Sequence, residues 1–310
     1  MKINQMTRRR FFVNAALSTA GFALSSPVLS SAKNPQQEVP NFNLMKEVMK
    51  YRKIDAYTTS NLSSENLAMQ VDFADRLGIQ KMFIAGPMTP IKATPEEFRE
   101  LNDRTIKAMN QYPDRLVGEF TVNPIYSKES LEEIKRCVDR GMVGTRLYNQ
   151  VKINDPLYFP VIEALSDLNM IIFMHGECQL GVGGYRMKYD ANKLPTTSTP
   201  ADFVDAAQRY PEAMFQFAHI GGGGDWECMC KTFADYPNIY VDTGGSNNEE
   251  NMIDFALEHL GEDRLFFGTD NSFYQSVGKV LSSNLSESQK KKLFFENYRK
   301  VLRKGGYHVD

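Results

Sequence analysis

The sequence predicts an α/β protein of the (β/α)8 TIM-barrel class, folded as a single domain with a short N-terminal helix and a C-terminal helix. Apolar runs alternate with helical patterns along the chain, which is typical of parallel strands joined by helices. The runs are continuous rather than alternating, as in strands covered on both faces. The 310 residues suffice for one such barrel, which commonly needs about 250.

The clearest strand is the apolar run Met170-Ile-Ile-Phe-Met, which is followed by His175, Gly176 and Glu177. Later apolar runs also deliver a polar residue at their C-terminal ends, namely His219, Asp242 and Asp270. In barrels of parallel strands the active site lies at this end of the strands. The polar residues therefore predict where the functional site lies.

The predicted elements follow one another along the whole chain. Strands are predicted at Lys53–Thr58, Lys81–Ala85, Leu116–Val122 and Met142–Leu147, and from Met170, Met214, Ile239 and Leu265 onward. Helices are predicted at residues 41–52, 65–77, 95–110, 128–140, 160–168 and 286–303, with others between the later strands. The last of these helices begins with the capping box Ser286-Glu-Ser-Gln289.

An open doubly wound sheet is the alternative, because the four glycines 221–224 follow a strand and precede a helix. A dinucleotide-binding fingerprint would need a third glycine at position 226, which is Trp226. We interpret the glycine run as backbone that approaches a ligand or a neighbouring segment closely. The barrel therefore stays the first choice.

Residues 1–32 have the pattern of an export signal of the twin-arginine type. A basic start with Arg8 and Arg9 precedes a weakly apolar segment and small residues before a cleavage point. A membrane anchor is the weaker alternative, because the apolar run is shorter than the ~20 residues that a span needs. We expect residues 33–310 to form the barrel domain and to be periplasmic or otherwise exported, with no membrane attachment after signal removal.

The charge balance excludes a nucleic-acid-binding surface. Four of the 36 Lys and Arg residues lie in the leader and none of the 38 Asp and Glu residues does, so the barrel domain is acidic. Nucleic acids and anionic membranes attract clustered positive charge. We expect a small molecule as the partner, and a homo-oligomer is compatible with the sequence.

The strand-end residues His175, His219 and Asp270 are the predicted catalytic set. In a closed barrel the three side chains converge on one mouth. Two imidazoles and a carboxylate can hold a metal ion or transfer protons. A single His at a strand end is more often packed and hydrogen-bonded, but three convergent groups favour a shared role.

Several further residues are candidate substrate contacts. Arg146, which ends the fourth strand, suits a carboxylate, with a salt bridge to Glu177 or Asp242 as the alternative. Asn123 is a polar candidate, with a cap on the turn before Pro124 as the alternative. The long loop 177–199 carries Arg186 above the site, and we interpret it as a lid that meets an anionic substrate, or as a structural excursion. The remaining candidates are Tyr148 and Glu177.

Four segments of the chain form recognisable motifs, namely MHGE at 174–177, AHIGG at 218–222, FFGTD at 266–270 and FFENYRKVL at 294–302. Together they resemble the amidohydrolase superfamily, in particular its amidohydrolase-related branch of aminocarboxymuconate-semialdehyde decarboxylase-like proteins. The resemblance implies a (β/α)8 barrel that hydrolyses C–N or C–O bonds or decarboxylates small aromatic acids. It also implies a divalent metal held by a His-x-His on strand one, the strand-five His and the strand-eight Asp, with the strand-six His transferring protons.

The sequence departs from that pattern on strand one, where Tyr57 and Thr59 stand in the place of the two histidines. Strand alternation predicts that both face the barrel interior. His175, His219 and Asp270 are then the ligands if a metal is bound, and Glu177 is a further option. We therefore expect no cofactor or one weakly held divalent metal, with zinc the first choice.

Three functions follow from this pattern. The first is metal-assisted hydrolysis. In the second, metal-free, Asp270 or His219 acts as the base while Tyr57 and Arg146 stabilise negative charge. The third is a catalytically inactive barrel that serves as a periplasmic ligand-binding protein. We favour an exported hydrolase, with decarboxylation as the other reaction, for a small anionic substrate and with little or no metal dependence.

Overall fold

The computed structural model describes residues 43–86, 92–178 and 195–310. The predicted leader and Arg186 lie outside these ranges. Leu44–Asp310 form one compact unit. Among the described helices, none combines the length and the apolar composition needed to cross a membrane.

Eight short strands and eleven α-helices alternate through these ranges. The strands are β1 (Lys53–Thr59), β2 (Ile79–Ala85), β3 (Leu116–Gly118), β4 (Thr145–Leu147), β5 (Ile171–His175), β6 (Met214–Ala218), β7 (Ile239–Asp242) and β8 (Leu265–Phe266). The helices are α1 (Leu44–Met49), α2 (Ser64–Leu77), α3 (Pro95–Gln111), α4 (Ser127–Asp139), α5 (Phe159–Asp167), α6 (Pro200–Arg209), α7 (Trp226–Phe233), α8 (Met252–Leu260), α9 (Phe273–Ser282), α10 (Glu287–Lys291) and α11 (Asn297–Lys304). A π-helical segment, Lys292–Glu296, joins the last two helices.

The strands form a closed barrel in chain order. Regular parallel ladders join β1 to β3 and β4 to β8. An isolated parallel bridge between Phe120 and Thr145 connects the two groups. Between β1 and the segment that follows β8, the Ala56 N–H donates to the Phe267 carbonyl at 2.8 Å and the Asp270 N–H donates to the Tyr57 carbonyl at 2.9 Å. The predicted (β/α)8 class is confirmed.

The observed strands are shorter than predicted around β3 and β4. The predicted strand Leu116–Val122 ends at Gly118, and the predicted strand Met142–Leu147 begins at Thr145. Gly144 has a φ of +77°, a left-handed conformation that a regular strand does not tolerate. The chain therefore bends there, and only the Phe120–Thr145 bridge continues the ladder.

The helix starts follow local capping chemistry. At α3 the Thr94 hydroxyl and the Glu97 carboxylate each accept the other residue's backbone N–H. The capping box predicted at Ser286 begins α10 in the same way, with Gln289 as its partner. The predicted closing helix 286–303 is present but is divided by the π-helical segment.

The base of the barrel is closed by aromatic packing. The ring of Tyr298, on α11, packs 4.8 Å from Phe83 and 4.8 Å from Phe266 between ring centroids. Ile54, Val117 and other strand side chains complete this cluster. Because apolar side chains fill the base, the polar strand ends at the opposite mouth are the place for chemistry.

Candidate active site

The centre of the site is an imidazole–carboxylate pair formed by His219 and Asp242. His219 directly follows β6 and Asp242 ends β7, so the adjacent strands bring the pair together, with His219 Nδ1 2.5 Å from Asp242 Oδ1. Asp242 also accepts from Gln216 Nε2 at 3.0 Å and from the Gly244 N–H at 2.9 Å. Both side chains of the pair are buried, His219 being 3% exposed.

The protonation of this pair follows from its partners. Burial alone would raise the pKa of Asp242, but the charge of His219 and the three hydrogen bonds outweigh it and hold the pKa below its ordinary value of 3.8. An ionised carboxylate can only accept, so Nδ1 of His219 carries the proton. The other nitrogen, Nε2, has no hydrogen-bond partner among the described residues and is the one that can exchange a proton with a substrate.

Asp270 lies beside Nε2, the ring nitrogen of His219 that does not bond to Asp242. Its Oδ2 is 3.6 Å from His219 Nε2, and its Oδ1 accepts from the Thr59 hydroxyl at 3.0 Å. Asp270 and Asn271 have φ values of +45° and +65°, and such strained conformations cluster at functional sites. The Asp270 side chain is 33% exposed, so it faces the open mouth.

His175, at the end of β5, completes the predicted set. Its ring lies 5.6 Å from that of His219 at an interplanar angle of 83°. Burial, with a smaller contribution from His219, lowers the pKa of His175 to about 4. His175 is therefore neutral at pH 7. The three predicted catalytic residues lie around one mouth.

The strand-one residues face the interior, as alternation predicts. The Tyr57 ring lies 4.6 Å from His219 and 4.9 Å from Phe173 between centroids, and 4.2 Å from the Arg146 guanidinium carbon. Burial raises the pKa of Tyr57 to about 12, so the phenol stays neutral. Thr59 contributes the hydroxyl that holds Asp270.

Arg146 is placed differently from either expectation. Its side chain is 0% exposed and pairs with Glu119, which follows β3, rather than with Glu177 or Asp242. Nε donates to Glu119 at 2.9 Å, Nη1 to the Thr58 carbonyl at 3.0 Å, and Nη2 to Glu119 and, at 3.1 Å, to the Phe83 carbonyl. Four of the five guanidinium N–H donors therefore bond within the barrel wall. The substrate contact predicted for Arg146 does not agree with this placement.

The other predicted contacts also bond within the protein. Tyr148 is buried and donates to the Gly86 carbonyl at 3.1 Å. Asn123 donates to the Ala93 carbonyl at 2.8 Å and accepts from the Ile125 N–H at 3.2 Å, which is the turn-capping alternative. Glu177 is partly buried at the beginning of the β5–α6 loop, where its N–H donates to the Ser198 carbonyl at 2.9 Å. Arg186 falls outside the described residues.

The glycine run after β6 approaches a neighbouring segment. A Cβ atom on Gly222 would lie 2.1 Å from the Gly176 carbonyl oxygen, and one on Gly224 would lie 1.8 Å from that of Cys178. Of the two alternatives, ligand or neighbour, the structure therefore supports the neighbour. The glycines let the segment beyond His219 pack on the backbone that follows His175.

Asp242 is the residue that sequence reasoning did not include in the site. The signal was present, because Asp242 ends an apolar run immediately before Thr-Gly-Gly. Its pairing with His219 depends on the register between β6 and β7, which a single sequence does not give.

The amidohydrolase family profile matches residues 69–304, about three-quarters of the chain. The chain belongs to the amidohydrolase family. The match covers β2 to β8 and begins within α2, beyond strand one. The resemblance read from the strand-end motifs is confirmed, and the family is one of enzymes.

Solved structures agree with this family fold. The 2,6-dihydroxybenzoate decarboxylase from Rhizobium matches with a TM-score of 0.65 and 16% identity over 82% of this chain and 99% of that chain. A dihydroxybenzoic acid decarboxylase from Polaromonas sp. JS666, solved with manganese and the inhibitor 2-nitroresorcinol, gives 0.64 and 17% over 82% and 97%. The 4-oxalomesaconate hydratase from Rhodopseudomonas palustris gives 0.61 and 15% over 81% and 95%. At these identities the similarity shows the fold.

The donor set does not fit the metal site that the amidohydrolase resemblance implies. Within residues 43–86, 92–178 and 195–310, no three or more His, Cys, Asp or Glu side chains form a group that could hold a metal ion. The strand-one positions offer a neutral phenol and a hydroxyl, which bind divalent metals poorly compared with imidazole or carboxylate. The predicted ligands His175, His219 and Asp270 therefore lie near one another without forming such a group.

Proposed function

We propose that this amidohydrolase-family protein is a hydrolase in which His219 transfers protons at the barrel mouth. The observation that carries the proposal is the position of His219 between two carboxylates, 2.5 Å from Asp242 and 3.6 Å from Asp270. Asp242 fixes the tautomer, so that Nε2 points toward Asp270 with its lone pair available. This arrangement meets the geometric needs of general base catalysis.

In the proposed hydrolysis, a water molecule that bonds to both Nε2 and Asp270 attacks the carbonyl carbon of an ester, lactone or amide. His219 takes the proton of the water, and the resulting imidazolium is stabilised by Asp242. As the C–O or C–N bond breaks, His219 returns that proton to the leaving group. Asp270, held by Thr59, orients the water.

Decarboxylation of a small aromatic acid is the second candidate. The observation that favours it is the match to two decarboxylases over almost their whole length. In that reaction the C–C bond to the carboxylate breaks, carbon dioxide leaves, and the ring carbon takes a proton. The proton would come from protonated His219, so both candidate reactions use the same residue.

The same proposal includes a degenerate metal site. A divalent ion would have to be held by His175 and Asp270 with help from His219, and zinc would be the first choice. We expect the purified protein to contain well below one equivalent of metal after dialysis, as measured by elemental analysis against a chelated and a reconstituted sample. One equivalent of zinc or manganese that survives dialysis would refute the degenerate site.

The catalytic proposal is tested by assaying esters, lactones, amides and hydroxylated aromatic acids with the wild type and three variants. His219→Gln and Asp270→Asn should each lower turnover by roughly 10²–10⁴-fold in protein that is still folded by circular dichroism. His259→Gln is the matched control, because His259 lies on α8 and bonds to the Phe255 carbonyl. Equal activity of His219→Gln and the control would refute the role of His219.

The binding-protein alternative makes a different prediction for the same panel. It requires that no member turns over while a carboxylated ligand binds. The anionic character of the substrate is itself a proposal that rests on Arg186, since Arg146 is committed to Glu119. If carboxylates bind to the wild type and to the control Arg209→Gln but not to Arg186→Gln, the result supports an anionic substrate held by Arg186. If Arg186→Gln binds carboxylates as well as the control does, this role of Arg186 is refuted.

We also propose that the protein is exported through the twin-arginine route and then acts as a periplasmic enzyme. The support is the basic, weakly apolar leader of residues 1–32. Replacement of Arg8 and Arg9 by lysine should keep the full-length protein in the cytoplasm, as seen by cell fractionation. Periplasmic recovery of that variant at the wild-type level would argue against this route.

A further inference from the structure

The loop that follows β7 encloses the imidazole of His219. A Cβ atom on Gly244 would lie 2.7 Å from His219 Nδ1, and one on Gly245 would lie 2.7 Å from His219 Cδ2. The Tyr57 ring packs against His219 in an edge-to-face arrangement. The orientation of the catalytic imidazole therefore depends on where the backbone of residues 243–245 runs.

A lysine from a helix holds that backbone in place. Lys279 lies on α9, and its Nζ donates to the carbonyls of Thr243 and Gly245, each at 3.1 Å. Between these two carbonyls, the Gly244 N–H donates to Asp242 Oδ1 at 2.9 Å. One ammonium thus holds the peptide unit that carries this N–H, through the Thr243 carbonyl, and the peptide unit that follows Gly245.

The Lys279 ammonium is half-buried, which makes these bonds necessary. Burial lowers the pKa of Lys279, while the charges of Asp242 and Asp270 act in the opposite direction. A cation removed from water is tolerated when it is hydrogen-bonded and near negative charge. Both conditions are met beside the imidazole–carboxylate pair.

We propose that Lys279 is a positioning residue for His219. It holds the loop 243–245 against the imidazole, and through Gly244 and Asp242 it keeps the proton on Nδ1 and directs Nε2 to the mouth. The kinetic consequence of this role rests on the proposed function, whereas the structural consequence does not.

The test uses nuclear magnetic resonance of protein labelled with 15N-histidine, because the chain has only four histidines and each ring signal can be assigned by substitution. The Nδ1–H of His219 is buried and bonded to a carboxylate, so its proton signal should lie far downfield and exchange slowly with water. Lys279→Met removes the donors and keeps most of the aliphatic stem. We expect this variant to shift the His219 signal upfield or to broaden it beyond detection.

Two further variants make the result specific. Lys279→Arg keeps a cationic donor and should restore the signal toward its wild-type position. Lys290→Met is the matched control, because Lys290 donates to the Leu281 carbonyl at 3.3 Å away from the loop, and it should leave the signal unchanged. An unchanged His219 signal in folded Lys279→Met would overturn the proposal, as would an equal change in Lys290→Met.

If Lys279→Met does not fold, Lys279→Gln replaces it, since its amide N–H group can still donate to one of the two carbonyls. The expected shift of the His219 signal and the outcomes that would overturn the proposal are the same. Once a substrate is found, the loss of position should appear in kcat rather than in KM, as a fall of roughly ten- to a hundredfold. If the His219 signal shifts in Lys279→Met but the wild type turns over no substrate, the positioning role stands and the catalytic role of His219 is refuted. If the signal does not shift and the wild type is active, the catalytic role stands and the positioning role of Lys279 is refuted.

Discussion

The two sides of the barrel mouth use charge in opposite ways. On the strand six-to-eight side, Asp270 is partly exposed at the opening and lies 3.6 Å from the buried Nε2 of His219, while Asp242 bonds to Nδ1 of the same ring. On the strand one-to-four side, the ion pair of Arg146 and Glu119 is buried in the wall. The first side therefore has groups that can react, whereas the charges of the second side are paired with each other.

This difference indicates which residues of an amidohydrolase-like barrel carry chemistry in this chain. Tyr57 and Thr59 occupy the strand-one positions and contact His219 and Asp270 rather than offering metal ligands. A buried ion pair contributes little net stability, but removing one partner is costly because the other charge is left without compensation. The strand one-to-four side should accordingly affect folding, and the strand six-to-eight side should affect turnover.

The largest expected effect is on stability. Arg146→Met leaves Glu119 buried without its counter-charge and should lower the free energy of unfolding by about 3–5 kcal/mol, measured by urea denaturation. Adding Glu119→Gln to this variant should recover part of the loss. Arg76→Met, which breaks a surface pair with Asp72, is the control and should leave the urea midpoint unchanged. Equal midpoints for Arg146→Met and the control would contradict the role of the buried pair.

The barrel was predictable from the sequence because its strands are short apolar runs. Each run can be recognised without knowing which strands lie next to it. The same holds for His175, His219 and Asp270, since a polar residue at a strand end points to the mouth of any parallel barrel. The inward direction of Tyr57 and Thr59 follows from alternation alone. These predictions depend on position within one strand.

Pairings between strands could not be predicted in the same way. Arg146 was expected to contact a substrate or to form a salt bridge with Glu177 or Asp242. Its partner is instead Glu119, at the end of the adjacent strand β3. The distance between two side chains on neighbouring strands depends on the register of the ladder, which a single sequence does not give. Lys279 was missed for a related reason, because its partners are backbone carbonyls that leave no trace in composition.

The second-largest effect is expected at Gly245, where a comparison with Gly261 separates backbone strain from contact with the imidazole of His219. Gly245 and Gly261 have nearly the same φ, +75° and +76°, but a Cβ on Gly261 would meet nothing within 4 Å. Gly261→Ala should therefore cost only the backbone strain of its conformation, with φ 76° and ψ 169°, about 1–3 kcal/mol. Gly245→Ala should add a displacement of His219 and lower turnover by roughly ten- to a hundredfold. If both variants lose stability and activity equally, the loop does not position His219.

The third effect concerns pH and the buried Asp55 on β1. Burial raises the pKa of Asp55 to about 7, although the Thr58 and Thr269 hydroxyls and two backbone N–H groups donate to it. Between pH 4 and 7 the folded protein keeps a proton that the unfolded chain, with an ordinary pKa of 3.8, releases. The contribution of Asp55 to stability is therefore present at low pH and is lost as the pH rises through this window.

Asp55→Asn should remove this dependence. Urea midpoints measured from pH 4 to 8 should fall less steeply in the variant than in the wild type, since an amide does not titrate. The exposed Asp72→Asn is the control and should keep the wild-type slope. A variant slope equal to that of the wild type would mean that Asp55 is ionised in the folded protein throughout this range.

The smallest effect tests the strand-one side of the mouth directly. Thr59→Val keeps the shape of the side chain and removes the hydroxyl that donates to Asp270 at 3.0 Å. The loss of one such bond is worth about 0.5–1.5 kcal/mol, which corresponds to a fall in kcat of roughly two- to twelvefold. The melting temperature should change little because Asp270 can bond to water at the open mouth. A loss as large as that of His219→Gln would place Thr59 among the reacting groups and would remove the distinction between the two sides.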